Sequence, residues 1–316
     1  MKIWHTEPTL LDHPALLLGE GPSWDDATGT LALVGIDDRL FGVADGDTVA
    51  FSAVPDFLGC AVPWQDGRWL GAYGTTVAAL TAGGTPQVFA RIPLDPAVVR
   101  ANDGKCDPSG RFWVGVMSRR AEAGQGSLWV VEPDGSVRQA LGGLTVPNGL
   151  GWSPDGTVMY VTDSLAGTVT GYAYDDRTGT LGEPRSVIFL DPRLGVPDGL
   201  AVDAAGALWT AVWDGGAVLR HSPDGALTGV LEFPVSRPTS CAFTGGALDE
   251  LVVTSAAVAL SPEELARSPL AGRTFRLRVD AEGLPAVRFA GTLPAAAPSS
   301  APSAVPSAAP SAGTIR

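Results

Sequence analysis

An all-β fold, a six-bladed β-propeller with four-stranded antiparallel blades, is predicted by two series of turns and one echoed motif. In the first series a glycine closes a tight turn after a short apolar run, at Gly29, Gly67, Gly110, Gly156, Gly206 and Gly246. The intervals are 38, 43, 46, 50 and 40 residues, and one four-stranded blade takes ~40–50. A second series interleaves with it at Asp45-Gly46, Gly83-Gly84, Asp134-Gly135, Thr178-Gly179, Asp224-Gly225 and Glu282-Gly283. Two turns per repeat, repeated six times, give six blades. The echo is Val146-Pro147-Asn148-Gly149-Leu150 against Val196-Pro197-Asp198-Gly199-Leu200, each with an oxygen-bearing side chain eight residues before its turn glycine.

Between the turns, short runs rich in β-branched and aromatic residues read as strands. They include Leu31-Ala32-Leu33-Val34, Arg111 to Val116, Val158 to Thr162 and Ala207 to Val212. Ring closure is expected to pair strands from the two ends of the chain, which leaves only short, protected edges. Ser261-Pro262-Glu263-Glu264-Leu265-Ala266-Arg267 offers an N-cap serine, a proline at the first helical position and a glutamate three residues after the cap, so a helix is placed there, inside the last blade. Residues 1–293 are expected to form the propeller as a single domain. Beyond Leu293 the composition turns to Pro, Ala and Ser, too poor in apolar area to offset the entropy of ordering, and 294–316 reads as a disordered tail.

Gly 40 and Pro 26 in 316 residues suit many strands joined by turns. A net charge of −13 argues against a nucleic-acid partner, which needs a basic face, and tolerates a bound cation. No apolar run approaches the ~20 residues of a membrane helix, and the N-terminus lacks a signal-peptide core. Three cysteines imply no disulfide framework. A soluble cytoplasmic protein acting on a small molecule, without membrane or nucleic-acid partners, is the expectation; oligomeric state is not legible.

Eight residues before the successive turn glycines stand Gly59, Asn102, Asn148, Asp198 and Pro238. In the first blade a longer turn would put Glu20 at nine. Four blades thus offer Glu20, Asn102, Asn148 and Asp198, read as lying just ahead of the innermost strands that line the channel. Two carboxylates and two amides from separate blades make a hard-oxygen site for Ca²⁺, Mg²⁺ or Mn²⁺, with positions left for water or substrate. The competing explanation is that Asn-Gly and Asp-Gly are ordinary turn pairs; recurrence at one repeat phase weighs against it.

These residues sit in runs that together resemble the SMP-30/gluconolactonase/luciferin-regenerating family. They are Leu18-Gly19-Glu20-Gly21-Pro22-Ser23-Trp24, Arg100-Ala101-Asn102-Asp103-Gly104-Lys105, Pro147-Asn148-Gly149-Leu150, Tyr160-Val161-Thr162-Asp163-Ser164 and Pro197-Asp198-Gly199. Arg237 to Phe243 and Arg288-Phe289-Ala290-Gly291 fit as well. The resemblance implies a lactonase, a carboxylic ester hydrolase acting on a small sugar lactone with one divalent cation. Ca²⁺ leads the candidates, with Zn²⁺, Mn²⁺, Mg²⁺ and Fe²⁺ open. It implies Glu20, Asn148 and Asp198 as metal ligands, Asp198 as general base, and Arg100 and Asn102 as substrate-binding residues. Val34-Gly35-Ile36-Asp37 and Gly59-Cys60-Ala61-Val62-Pro63 depart from the family pattern without touching a ligand, and bear on the substrate. The alternative is a non-catalytic Ca²⁺-binding propeller, for which a substrate-gripping Arg100 would have no use; a carbon–nitrogen ligase or synthase of the wider propeller group stands third.

Cys60, Cys106 and Cys241 read as buried small hydrophobes on innermost strands, and His5, His13 and His221 as structural or surface residues. Asp163 reads as stabilising a turn, and Glu122 lies in a loop that could reach the pocket. No Gly-x-Ser-x-Gly elbow, His-Glu-x-x-His, P-loop or dinucleotide motif occurs.

Overall fold

A computed structural model describes residues 2–4 and 8–293 of the chain; His5 and the segment read as a tail lie outside them. Six sheets stand around an axis. Blade 1 is built from Gly19–Asp25, Thr30–Gly35, Leu40–Asp45 and Thr48–Ala53, each strand antiparallel to the next. The innermost strands of blades 2 to 6 are Leu58–Pro63, Val99–Cys106, Pro147–Trp152, Val196–Val202 and Pro238–Thr244. Each packs against the next, and the sixth against the first, so the ring is closed.

The predicted strands recur within one or two residues, at Thr30–Gly35, Phe112–Ser118, Val158–Asp163 and Leu208–Trp213. Central blade strands are covered on both faces by neighbouring blades and therefore read as near-continuous apolar runs; every residue of Phe112–Ser118 is buried. Trp64, Trp113 and Trp209 are fully buried between blades. The helix Pro262–Arg267 forms inside blade 6, with Ser261 accepting from Glu264 N and the Glu264 side chain accepting from Ser261 N. No described helix is long and apolar enough to cross a membrane.

One turn of the second series is not a blade turn. Glu282-Gly283 follows Phe275–Arg278, the third strand of blade 6, and leads to no fourth strand there. The fourth strand is Thr9–Leu10 from the start of the chain, antiparallel to Phe275–Arg278. Lys2–Trp4 adds a fifth strand, parallel to Leu227–Glu232, at the edge of blade 5. After residue 280 the chain instead crosses the face of the ring that carries the first turn series. Ala204 N donates to Glu282 O, Arg288 forks onto Asp25 (2.6 and 3.0 Å), Phe289 N donates to Pro63 O, and Ala290 N to Gly110 O. Phe289 meets Trp64 and Phe89 edge-on at 5.4 and 5.1 Å, locking this strap down.

Candidate metal centre

Each innermost strand is irregular at the same place. In five blades two consecutive residues stand opposite one: Gly21-Pro22, Asn102-Asp103, Asn148-Gly149, Asp198-Gly199 and Thr239-Ser240. In blade 2 the register slips at Gly59. Such bulges re-aim a side chain out of the pleat. Asn102, Asn148 and Asp198 therefore lie within their strands, at the bulge, and not ahead of them as the sequence suggested. Glu20 is displaced for a different reason than a longer turn. Gly21 holds the position equivalent to Asn148, and Glu20 sits one residue earlier, paired with Val34.

The glycines of Asn-Gly and Asp-Gly are not turn glycines. A Cβ on Gly149 would come within 2.7 Å of Asp198 O, and one on Gly199 within 2.6 Å of Ser240 Cα. Adjacent innermost strands approach so closely around the channel that only glycine passes. That same closeness brings the residue before each glycine to a common point.

Glu20, Asn148 and Asp198 are brought together there, each about 95% buried. Asn148 Nδ2 donates to Ser164 Oγ at 3.1 Å and to Asp198 Oδ1. Glu20 accepts from Gly21 N at 2.8 Å. Burial, then the charges of Asp198 and Asp103, push Glu20 well above the usual carboxylate range. Burial and then Asp103 do the same to Asp198, against the opposing hydrogen bond from Asn148 and the charge of Arg100. Asp103, raised by burial and held down by Lys105, is a third carboxylate in the channel that sequence reasoning passed over.

Asn102 is also at this end. Its Oδ1 accepts from Arg100 Nη1 at 2.8 Å and its Nδ2 donates to Pro147 O at 3.1 Å. Arg100 Nη1 also donates to Ala101 O, which leaves Nε and Nη2 for another acceptor. The two residues are thus tied to one another, with Arg100 near enough for its charge to act on Glu20 and Asp198. Asp163 accepts from Thr145 N and Val146 N, both at 2.9 Å, and so fixes the entry to the strand that carries Asn148. Glu122 accepts from Ser118 Oγ at 3.2 Å within its own loop. Cys60, Cys106 and Cys241 are free and buried, and His13 and His221 are buried. Ser164 was missed as a partner of Asn148, although it sits in the quoted Asp163-Ser164 pair; a hydroxyl sixteen residues away carries no spacing signal.

The donor set fits a hard divalent cation. Among the described residues no three His, Cys, Asp or Glu side chains are grouped to hold a metal, so a site here would draw on other oxygens as well. Asn148 Oδ1 is one such oxygen: it is buried and has no hydrogen-bond donor, because the amide's Nδ2 takes both polar neighbours. A buried acceptor left without a partner is costly unless a ligand meets it. The nearby carboxylates of Asp198 and Glu20, each disfavoured as an anion by burial, would be stabilised in the charged form by a bound cation.

Fold and site together define a class: a closed six-bladed propeller with a cluster of buried oxygen-bearing side chains where the innermost strands begin. Residues 18–257 match the SMP-30/Gluconolactonase/LRE-like region, and the chain belongs to this family. Chicken (Gallus gallus) regucalcin is 36% identical over 285 residues, covering 87% of this chain and 95% of the relative. The crystal structure of a calcium-binding protein, regucalcin, from Agrobacterium tumefaciens superposes with a TM-score of 0.87 at 31% identity, covering 92% of this chain and 99% of that one. A luciferin-regenerating enzyme follows at 0.82 and 29%, covering 90% and 99%.

Proposed function

We propose that the protein is a lactonase that hydrolyses a small sugar lactone with one divalent cation held by Glu20, Asn148 and Asp198. The observation that carries the reading is the buried, unpartnered Asn148 Oδ1 on an amide that is hydrogen-bonded to the buried Asp198, whose charge Glu20 also feels. Membership of a family whose description includes gluconolactonase supports the reaction class. The bound cation would polarise the lactone carbonyl and make water a better nucleophile.

The chain's own residues do the rest. Asp198 is the general base: held beside the cation, its carboxylate is placed to take the proton of the attacking water. Arg100, through Nε and Nη2, binds substrate oxygens, and Asn102 holds it in place through the 2.8 Å hydrogen bond. Burial of the pocket strengthens each of these interactions relative to water. On this reading the protein acts in the cytoplasm, in keeping with three free cysteines.

The second reading, a calcium-binding propeller without catalysis, is favoured by the description of the Agrobacterium relative as calcium-binding. The two are separated by assaying acid release from a panel of aldonolactones with Ca²⁺, Mg²⁺, Mn²⁺, Fe²⁺ or Zn²⁺, with chelator, and in Asp198→Ala and Arg100→Ala. A lactonase loses turnover in chelator and in both variants, by about 10²-fold or more, while Arg100→Ala still binds cation. Cation binding with no turnover on any lactone by the unaltered protein would leave the binding module.

A further inference from the structure

Lys105 crosses the central channel. It leaves the innermost strand of blade 3, and its Nζ donates to Leu200 O on the innermost strand of blade 5 at 2.9 Å. The side chain borders two cavities. One of ≈ 30 Å³ is shared with Asp103 on the side of the cation site; the other, of ≈ 410 Å³, opens on the opposite face beneath the strap. The larger cavity is walled mainly by apolar groups, with Trp24, Trp152, Phe243 and Leu284 the largest. Its volume falls among those of small-molecule sites, ~300–1,000 Å³.

The ammonium is short of partners. It has three N–H donors, and Leu200 O takes one. Among the described residues no carboxylate oxygen lies within 4.0 Å of it. Asp103 acts on it only at longer range, and burial prevails, drawing the lysine's pKa down. A half-buried ammonium with donors left open to an apolar cavity is a group that an anion entering that cavity would complete. The acidic side chains at the cavity rim are engaged elsewhere, Asp155 with Ser153 and Thr157, Asp176 with Ser109. Positive charge therefore stands only at the deep end of an apolar chamber.

We propose that this cavity is a second binding site, for an amphiphilic monocarboxylate whose carboxylate meets Lys105 Nζ and whose apolar body lies against Trp24, Trp152 and Phe243. It does not depend on the lactonase reading, since it lies at the other end of the channel from Glu20 and Asp198. The test is a titration of the full chain with decanoate in chelator, below the micelle concentration, followed by tryptophan fluorescence and calorimetry. Saturable binding of one decanoate is expected, with decanol and decyltrimethylammonium weaker by about tenfold or more. Lys105→Met should weaken decanoate by a similar factor, and Ala286→Trp, which fills the cavity from the strap, should abolish it while melting as the parent does. No saturable binding would overturn the proposal. So would binding that decanol matches, or that Ala286→Trp leaves unchanged.

Discussion

At the scale of single residues, the site rests on which atom of Asn148 is left over. Ser164 Oγ and Asp198 Oδ1 both accept from Nδ2, and Oδ1 is left buried without a donor. Ser164→Ala removes one of the two acceptors that set this orientation. Outer partners of this kind are worth ~10–100-fold in metal affinity, so calorimetry should find the cation weakened by about tenfold or more, with Ser164→Thr near the parent. Unchanged affinity in the alanine variant would show that Asp198 alone sets the amide. The carboxylates make a second prediction. Without cation, Glu20 and Asp198 have folded pKa values raised above 4.5 and 3.8. Such groups stabilise the fold while protonated, fully below about pH 4, and that stability is lost as pH rises through the folded values. His13 and His221, lowered from 6.5 by burial, run the other way and cost stability as pH falls below 6.5. The histidines are common to loaded and chelated protein, so the melting-temperature gap between the two should widen as pH rises above about 4.5 and through the raised folded values of the carboxylates. A gap constant with pH would contradict the assigned carboxylates.

At the scale of the element, the bulged innermost strand is the working unit. Its glycine admits the neighbouring strand, its bulge aims the residue before the glycine, and five or six residues on it reaches the turn. Gly199→Ala would drive a methyl into Ser240, whose Cα would be 2.6 Å away. Backbone cannot yield as a side-chain tip can, so a loss of about 1–3 kcal/mol or more is expected in denaturant melts, together with weakened cation binding. The turn end of the strand holds a further device. Asp107 accepts from Arg111, Trp113 Nε1 and Tyr174 OH, and Asp203 from Trp209 Nε1 and Arg220. The sequence carried a sign of it, an aspartate six residues before a tryptophan in two blades. The bulge left none, because two residues opposite one is a property of the pair of strands.

At the scale of the molecule, the ring is held shut by the two ends of the described chain. Thr9–Leu10 completes blade 6, and the next residue, Leu11, is 1% exposed with its N–H on Thr274 O. Leu11→Ala should cost about 2–5 kcal/mol by cavity formation, and because blade 6 joins blade 1, the loss should appear in a single unfolding transition. A separate early transition would mean that blade 6 opens alone. The strap closes the opposite face by its own set of contacts, from Arg288 on Asp25 to Phe289 between Trp64 and Phe89.

The blade count, the helix in blade 6, the burial of the cysteines and the recurrence of oxygen-bearing residues at one repeat phase were legible in the chain, because turn glycines, caps and apolar runs are local features with a fixed period. Tertiary structure alone decided that Glu20 stands one residue upstream of the bulge, that the fourth strand of blade 6 comes from the N-terminus, and that Lys105 bridges blades 3 and 5. Each of those depends on how separate strands face one another across a shared axis, and distance through space leaves no period along the chain.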